Sequence, residues 1–451
     1  MSTELISAQL SEYLRFKNGK SSPDRDDDAP FPVYGSNGLI GHADKINSDQ
    51  NTIIIGRVGS YCGSVHFSDK PCWVSDNAII CTSKNPEDSL FWYYFLTFSD
   101  LNQYRSGSGQ PLLNQGTLNS ISCEVPRALT ERVRIGELLA SFDKKQGLNH
   151  QINQTLEQMA QAIFKSWFVD FEPVKAKIAA LEAGGSEEDA LLAAMQAISG
   201  KGEAELTRLQ AEQPEQYAEL RATAELFPSA MQDSELGEIP EGWRVSHIGD
   251  EVTVVGGGTP STKNPDFWES GEINWTSPKD LSNLSDKVLV KTERKVTEAG
   301  LAKISSGLLP VDTVLMSSRA PVGYLALAKI PVAVNQGYIA MKCEKALSPE
   351  FVIQWCAAHM DEIKSRASGT TFAEISKKNF KIIPLVMPQE SLISAYSKQV
   401  SSLYEAIENN VRESDTLATL RDSLLPKLLS GELSVTAAEN QIAEAAEPAD
   451  V

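Results

Sequence analysis

Two halves of this chain carry the same landmarks at a nearly constant spacing, and a repeat of that length restricts the fold more than any local pattern does. Arg57 in IIIGRVGSYCG finds Arg319 in VLMSSRAPVGY, 262 residues on, and Trp92 in LFWYYF finds Trp355 in VIQWCA at 263. Ser108-Gly109 matches Ser368-Gly369 at 260, and Pro126 matches Pro388 at 262. Phe142, Asn149, Leu156, Met159 and Ile163 then match Leu403, Asn410, Leu417, Leu420 and Leu424 at 261 each. A chance alignment does not hold separated landmarks within three residues of one offset.

Each half therefore reads as a module of strands and turns followed by a long helix, an α+β plan used twice. The modules cover 1–126 and 241–388, and the helices 127–171 and 389–435. In the first helix Ile152, Leu156, Met159 and Ile163 are spaced 4, 3 and 4, one stripe of a helix turn. At about 1.5 Å per residue such a helix is on the order of 60 Å long, more than its own module covers. The two helices are expected to cover each other along Phe142, Asn149, Ile152, Leu156, Met159, Ile163, Leu403, Ile407, Asn410, Leu417, Leu420 and Leu424. Asn149 and Asn410 stand at equivalent places, where a buried polar group costs stability but fixes register. The stripe alone leaves direction open. Modules at the helix starts, joined by a long connection, suit an antiparallel pair with one module at each end. The connection, 172–240, is an Ala/Glu-rich helical spacer, and 436–451 reads as a disordered acidic tail.

With 41% hydrophobic residues in 451, the chain can build real cores. No run approaches the roughly 18 apolar residues of a membrane span, and MSTELISAQL lacks the pattern of a signal peptide, so a cytoplasmic setting is expected. Six scattered cysteines without a C-x-x-C pair read as reduced core thiols rather than a metal site. The net charge of −19 argues against nucleic acid at first sight, but it is unevenly spread. Residues 127–240 hold 11 basic and 19 acidic side chains, whereas 241–388 hold 17 and 16. A DNA-binding role for such a chain calls for a more basic partner to neutralise phosphates.

Catalytic signatures are near misses. NGKS at 18–21 resembles the end of a phosphate-binding loop, but Leu14 stands where its first glycine belongs. GGGTPSTK at 256–263 lacks dinucleotide-binding spacing, and NPDF at 264–267 has Asp266 where an adenine methyltransferase motif needs proline. Asp266, Glu293 and Lys295 form a metal-nuclease pattern on paper, but it is short, lies among many charges and has no counterpart in the first half. A stand-alone nuclease or methyltransferase is thus the alternative reading, and a non-catalytic chain the main one. No metal site and no cofactor of its own are expected.

What the modules offer is contact chemistry: Arg, Asn, Gln, Tyr and hydroxyls among glycines, the side chains that reach phosphates and base edges. In the first module the candidates are Tyr34, Ser36, Asn37, Arg57, Ser60, Tyr61, Asn77, Arg105, Ser108 and Gln110. In the second they are Thr259, Ser261, Thr262, Lys263, Lys279, Arg319, Asn335, Gln336, Ser368, Thr370 and Thr371.

PVYGSNGLIGHAD, NHQINQTLEQMAQAIFKSWFVDFEPV, SELGEIPEGW, GGGTPSTKNPDFW, INWTSPKDL and LRDSLLPKLLSGEL together give a resemblance over nearly the whole chain. The sequence resembles the specificity subunits of type I restriction-modification enzymes, which act in defence against phage. The resemblance implies two target recognition domains, each reading one half of a split, asymmetric site in double-stranded DNA. It implies an antiparallel coiled coil that sets the half-site spacing and docks two methyltransferase subunits, which use S-adenosylmethionine and flip adenines. Two ATP- and magnesium-dependent restriction and translocase subunits complete the implied assembly. One departure is the missing EIPEGW lead-in before the first module, so its first strand is expected to be short or differently anchored.

Overall fold

The computed structural model of the protein describes residues 4–106, 112–369 and 373–446. They fall into two compact units, one of residues 1–147 with 414–451 and one of 148–413. Each long helix, Leu129–Phe168 and Glu390–Leu429, contributes one part to each unit.

In the first unit the all-buried run Thr52–Gly56 is central to an antiparallel sheet ordered Leu14–Asn18, Ala78–Ser83, Thr52–Gly56, Val65–Ser68. Its β-branched side chains suit a strand covered on both faces. A smaller sheet orders Gly38–Ala43, Phe31–Gly35 and Trp73–Val74, the last pair parallel. Leu5–Gln9 pairs antiparallel with Ser122–Pro126 and closes the module just before the long helix.

The second unit repeats this topology. Thr253–Val255, Tyr338–Lys342, Thr313–Ser317 and Leu325–Ala328 take the same order, with Val288–Leu289 added in parallel at the edge. Arg294–Val296, Ile273–Thr276 and Ala333–Val334 form the smaller sheet, again with a parallel last pair. Arg244–His247 pairs with Pro384–Met387 as the closing ribbon. The first module's opening strand is thus neither short nor differently anchored: at 5 residues it exceeds its counterpart of 4 and pairs in the same way.

The helices pack antiparallel. In the second unit Asn153 accepts from Asn410 at 2.8 Å and Glu157 accepts from Tyr404 at 3.0 Å, so numbering rises on one helix as it falls on the other. In the first unit Asp143 pairs with Arg421, while Leu139 and Phe142 share a core with Leu424 and Leu428.

The seam differs from the expected stripe. Ile152 and Met159 are 39% and 48% exposed, whereas Asn149, Asn153, Ala160 and Phe164 are buried. At these two places the covered position lies one residue on, at Asn153 and Ala160, while Phe142 and Asn149 are buried as expected; the helix faces polar groups of its unit as well as its partner helix. Asn149 donates to the Asn410 carbonyl at 3.3 Å and to Glu413 at 2.7 Å. Leu156, Ile163, Leu403, Ile407, Leu417, Leu420 and Leu424 do pack within the two cores.

The spacer forms helices Glu172–Glu182, Glu187–Ser199, Glu203–Glu212 and Pro214–Glu225, then a hairpin of Met231–Ser234 and Gly237–Pro240. The expected disordered tail is instead, up to its last described residues, a helix at Val435–Ala446. Small and β-branched residues on one side, Val435 at 1% and Ala438 at 0% exposure, seat it on the first unit's core, which a count of large apolar groups overlooks.

Candidate nucleic-acid interface

Each module ends its strands in polar turns, and the backbone holds those turns in the same way in both units. Arg57 donates its amide to Asn77 and accepts from Leu113 at 3.0 Å; Ser318 donates to Gly337 and accepts from Ile375 at 3.0 Å. Val58 bridges Leu112, and Arg319 bridges Glu374. Ser318, not Arg319, therefore occupies the backbone place of Arg57, which corrects the pairing of the two arginines. A slip of one residue matters in extended chain, because neighbouring side chains point to opposite sides. Trp92 and Trp355 are likewise offset: the helices Ser89–Phe98 and Pro349–Ala358 match at 260, which sets Trp92 against Val352 and Phe95 against Trp355. They are one turn apart on one face.

The glycines that suggested phosphate loops have another cause. A Cβ on Gly19 would lie 2.0 Å from the Ser75 carbonyl oxygen, and one on Gly257 would lie 1.7 Å from that of Val334. The two residues hold equivalent places where the chain passes against a neighbouring strand, an approach only glycine permits.

In the first module Ser36 donates to the Asn77 carbonyl, and Ser64 donates to the Ser36 carbonyl. These bonds gather Ser36, Arg57 and Asn77 at one rim. Asn37, Ser60, Tyr61, Asn77 and Arg105 are exposed. The Arg57 Nε is buried without a hydrogen-bond partner among the described residues. Tyr34 is different: its ring packs against Ile54, Val74 and Ile80, and burial raises its hydroxyl pKa. Ser108 and Gln110 lie outside the described residues.

In the second module Thr259 donates to Gln336 at 2.6 Å and accepts from Asn335 at 2.9 Å. The Asn335 carbonyl oxygen takes the Gly337 amide at 2.6 Å, so these three side chains form one ordered cluster. Arg319 lies 3.7 Å from Glu374, which also bridges Ser368. Lys279 pairs with Glu293 at 3.3 Å, both well exposed. Ser261, Thr262 and Lys263 are exposed on the turn before Pro265–Phe267, and the Ser261 carbonyl takes the Trp268 indole N–H. Thr370 and Thr371 lie outside the described residues.

The sequence left out several groups at this rim. Arg294 stacks 3.6 Å over Trp268, whose ring meets Trp275 edge-on at 5.1 Å. Lys377 places its ammonium 2.8 Å from where a Gly256 Cβ would be. No local pattern marks either; both come from contacts between distant segments. Glu293 is taken up by Lys279, and no group of three or more His, Cys, Asp or Glu placed to hold a metal occurs among the described residues. All six thiols are free; burial pushes Cys72 and Cys123 up to about 11 and Cys343 to about 12.

Residues 8–158 and 240–412 match the family of the type I restriction modification DNA specificity domain, one match in each half. The chain is 35% identical over 344 residues to the HindI specificity subunit of Haemophilus influenzae, covering 74% of each. It is 32% identical over 193 residues to the MjaIX specificity subunit of Methanocaldococcus jannaschii, covering 42% of this chain and 44% of that one. Its fold matches the crystal structure of a type I restriction-modification S subunit from M. genitalium at a TM-score of 0.55 and 15% identity, over 95% of this chain and 96% of that one. The chain belongs to the type I restriction-modification specificity subunits. No helix among the described residues is long and apolar enough to cross a membrane.

Proposed function

We propose that each module reads one half of a bipartite, asymmetric site in double-stranded DNA, while the antiparallel helices set the distance between the halves. The observation that carries this is a shared topology with unlike rims. One rim presents Ser36, Arg57, Tyr61, Asn77 and Arg105, the other Thr259, Lys279, Arg319, Asn335 and Gln336. Equal frames carry the two sets of side chains on matching strand ends, and unlike side chains make the half-sites different. Helices of 40 residues, on the order of 60 Å at 1.5 Å per residue, suit half-sites one to two turns of B-DNA apart.

The chain itself carries out no chemistry in this reading. Two methyltransferase subunits dock on the helices, bind S-adenosylmethionine and supply basic surface that an acidic subunit lacks. Leu148, Ile152 and Met159, exposed on the first long helix, give such a partner apolar purchase. ATP- and magnesium-dependent restriction and translocase subunits join through them in the cytoplasm.

Co-expression with the partner methyltransferase, followed by mapping of methylated adenines across host DNA, tests the reading. A single split motif with a fixed gap is expected. Methylation that is absent, or equal without this chain, contradicts it, as does activity of the purified chain alone with magnesium or S-adenosylmethionine.

A further inference from the structure

Helices Glu172–Glu182 and Val435–Ala446 are counterparts: Val174 at 0% and Val435 at 1% exposure lie 261 residues apart, as do Lys177 at 8% and Ala438 at 0%. Each follows a long helix, and each packs on the core of its own unit.

In the second unit the groove between this helix and the start of the long helix is filled by the chain's own segment 226–243. Lys177 donates to the Phe227 carbonyl at 2.5 Å, and the Phe227 ring meets Trp167 edge-on at 5.2 Å. Trp243 packs on Phe168 and Phe171 at 6.1 and 5.6 Å, with Leu392, Ile393 and Tyr396 buried in the same core. The filling segment holds four carboxylates, Asp233, Glu235, Glu238 and Glu241, and no Lys or Arg.

In the first unit no described segment takes that place. A groove of about 630 Å³ lies there instead, lined by Glu4, Arg127, Glu131, Arg134, Thr436 and Asn440 among others. Where the second unit has Lys177 as an anchor, this one has Ala438. The two arginines are exposed, 66% and 45%, and their pairings with Glu4 and Glu439 are surface ion pairs of little strength. They are free to turn to a carboxylate that arrives with a partner.

We propose that this groove seats an acidic polypeptide segment carrying a large aromatic side chain, supplied by a partner subunit, as 226–243 fills the sister groove from within. The occupant's aromatic side chain follows from the filled groove, where Phe227 and Trp243 are buried, and its acidity from the arginines at the open one. This rests on the assembly with methyltransferase subunits proposed above, which is where the segment is sought.

The test is photocrosslinking in the purified complex of full-length chain and methyltransferase, with p-benzoylphenylalanine in place of Asn440 and mass spectrometry of the product. The expected crosslink joins an acidic, aromatic-bearing segment of the methyltransferase. Arg134→Glu should weaken retention of that subunit at least about tenfold through like-charge contact, with an unchanged melting profile of the free chain. A crosslink to residues 1–3 or 447–451, to a second copy, or to nothing in an intact complex overturns the proposal, as does unchanged retention by Arg134→Glu. If the unaltered chain fails to hold the methyltransferase at all, the partner reading falls and takes this proposal with it.

Discussion

The two units share a backbone plan and are held together by different chemistry. In the first, Asp88 and Arg132, 1% and 7% exposed, form a buried ion pair of 2.8 Å that ties the module to the start of its long helix. Ser83 donates to Asp88 at 2.6 Å, and Arg132 reaches the Pro126 carbonyl at 2.8 Å, so both charges are further bonded. In the second unit the matching positions are Ser348 and Ile393, and aromatic packing of Phe164, Trp167, Phe168, Phe351 and Tyr396 takes over. A second pair of positions stays polar in both. Tyr94 donates to Asp143 at 2.6 Å, and Gln354 donates to Tyr404 at 2.7 Å, 260 and 261 residues on. The comparison teaches that sheet topology and helix direction set where a contact is made, and that several chemistries satisfy it.

The largest effect should come from breaking the ion pair. Arg132→Met leaves the Asp88 carboxylate buried without its counter-charge and should cost about 3–5 kcal/mol, read by denaturant unfolding. The double variant Asp88→Ser with Arg132→Ile copies the second unit and should recover most of that loss; no recovery would show that the units are not interchangeable here.

Trp167→Leu copies in reverse, since Leu428 holds that place in the first unit, and should cost about 2–3 kcal/mol because the surrounding rings cannot close the space. Tyr404→Phe is expected to cost about 1–2 kcal/mol by removing a hydroxyl that takes Gln354 and serves Glu157. Burial pushes the Glu157 carboxyl up, but Lys287, Gln161 and Gln354 outweigh it and hold it below the usual range. A carboxylate with a lowered folded pKa contributes stability above its unfolded value of about 4.3 and loses it as pH falls through the folded one. The stability of wild type should therefore fall on acidification below about pH 4, and Glu157→Gln should flatten that fall. The smallest effect is Ile152→Ser, within about 0.5 kcal/mol, against a clear loss for its neighbour Asn153→Leu; equal losses would restore the apolar stripe as the seam.

The repeat was legible because both modules keep one order of strands, so the spacing of strands and helices survives divergence of the side chains. Single landmarks were less safe. Arg57 and Arg319 differ by one residue in register and the two tryptophans by a turn, since the count between landmarks drifts where loops differ. The helix pair and most of its seam were legible from length and periodicity, but the exposure of Ile152 and Met159 was not. Asn153 is buried and Glu157 half-buried because Asp286, Lys287, Gln354 and Tyr404 meet them, partners that lie more than 100 residues away. At the rim, the residue types pointed to Thr259, Asn335 and Gln336, whose mutual bonds bring them together. Tyr34 looked the same in sequence, yet its neighbours in space make it a packing residue.

The most direct test of the central claim, one half-site for each module, is to map methylated adenines with the complex carrying Asn335→Ala and Gln336→Ala. The account predicts that only one half of the split motif relaxes, while the other half and the gap between them stay fixed. A change in both halves, or an unaltered motif, would contradict it.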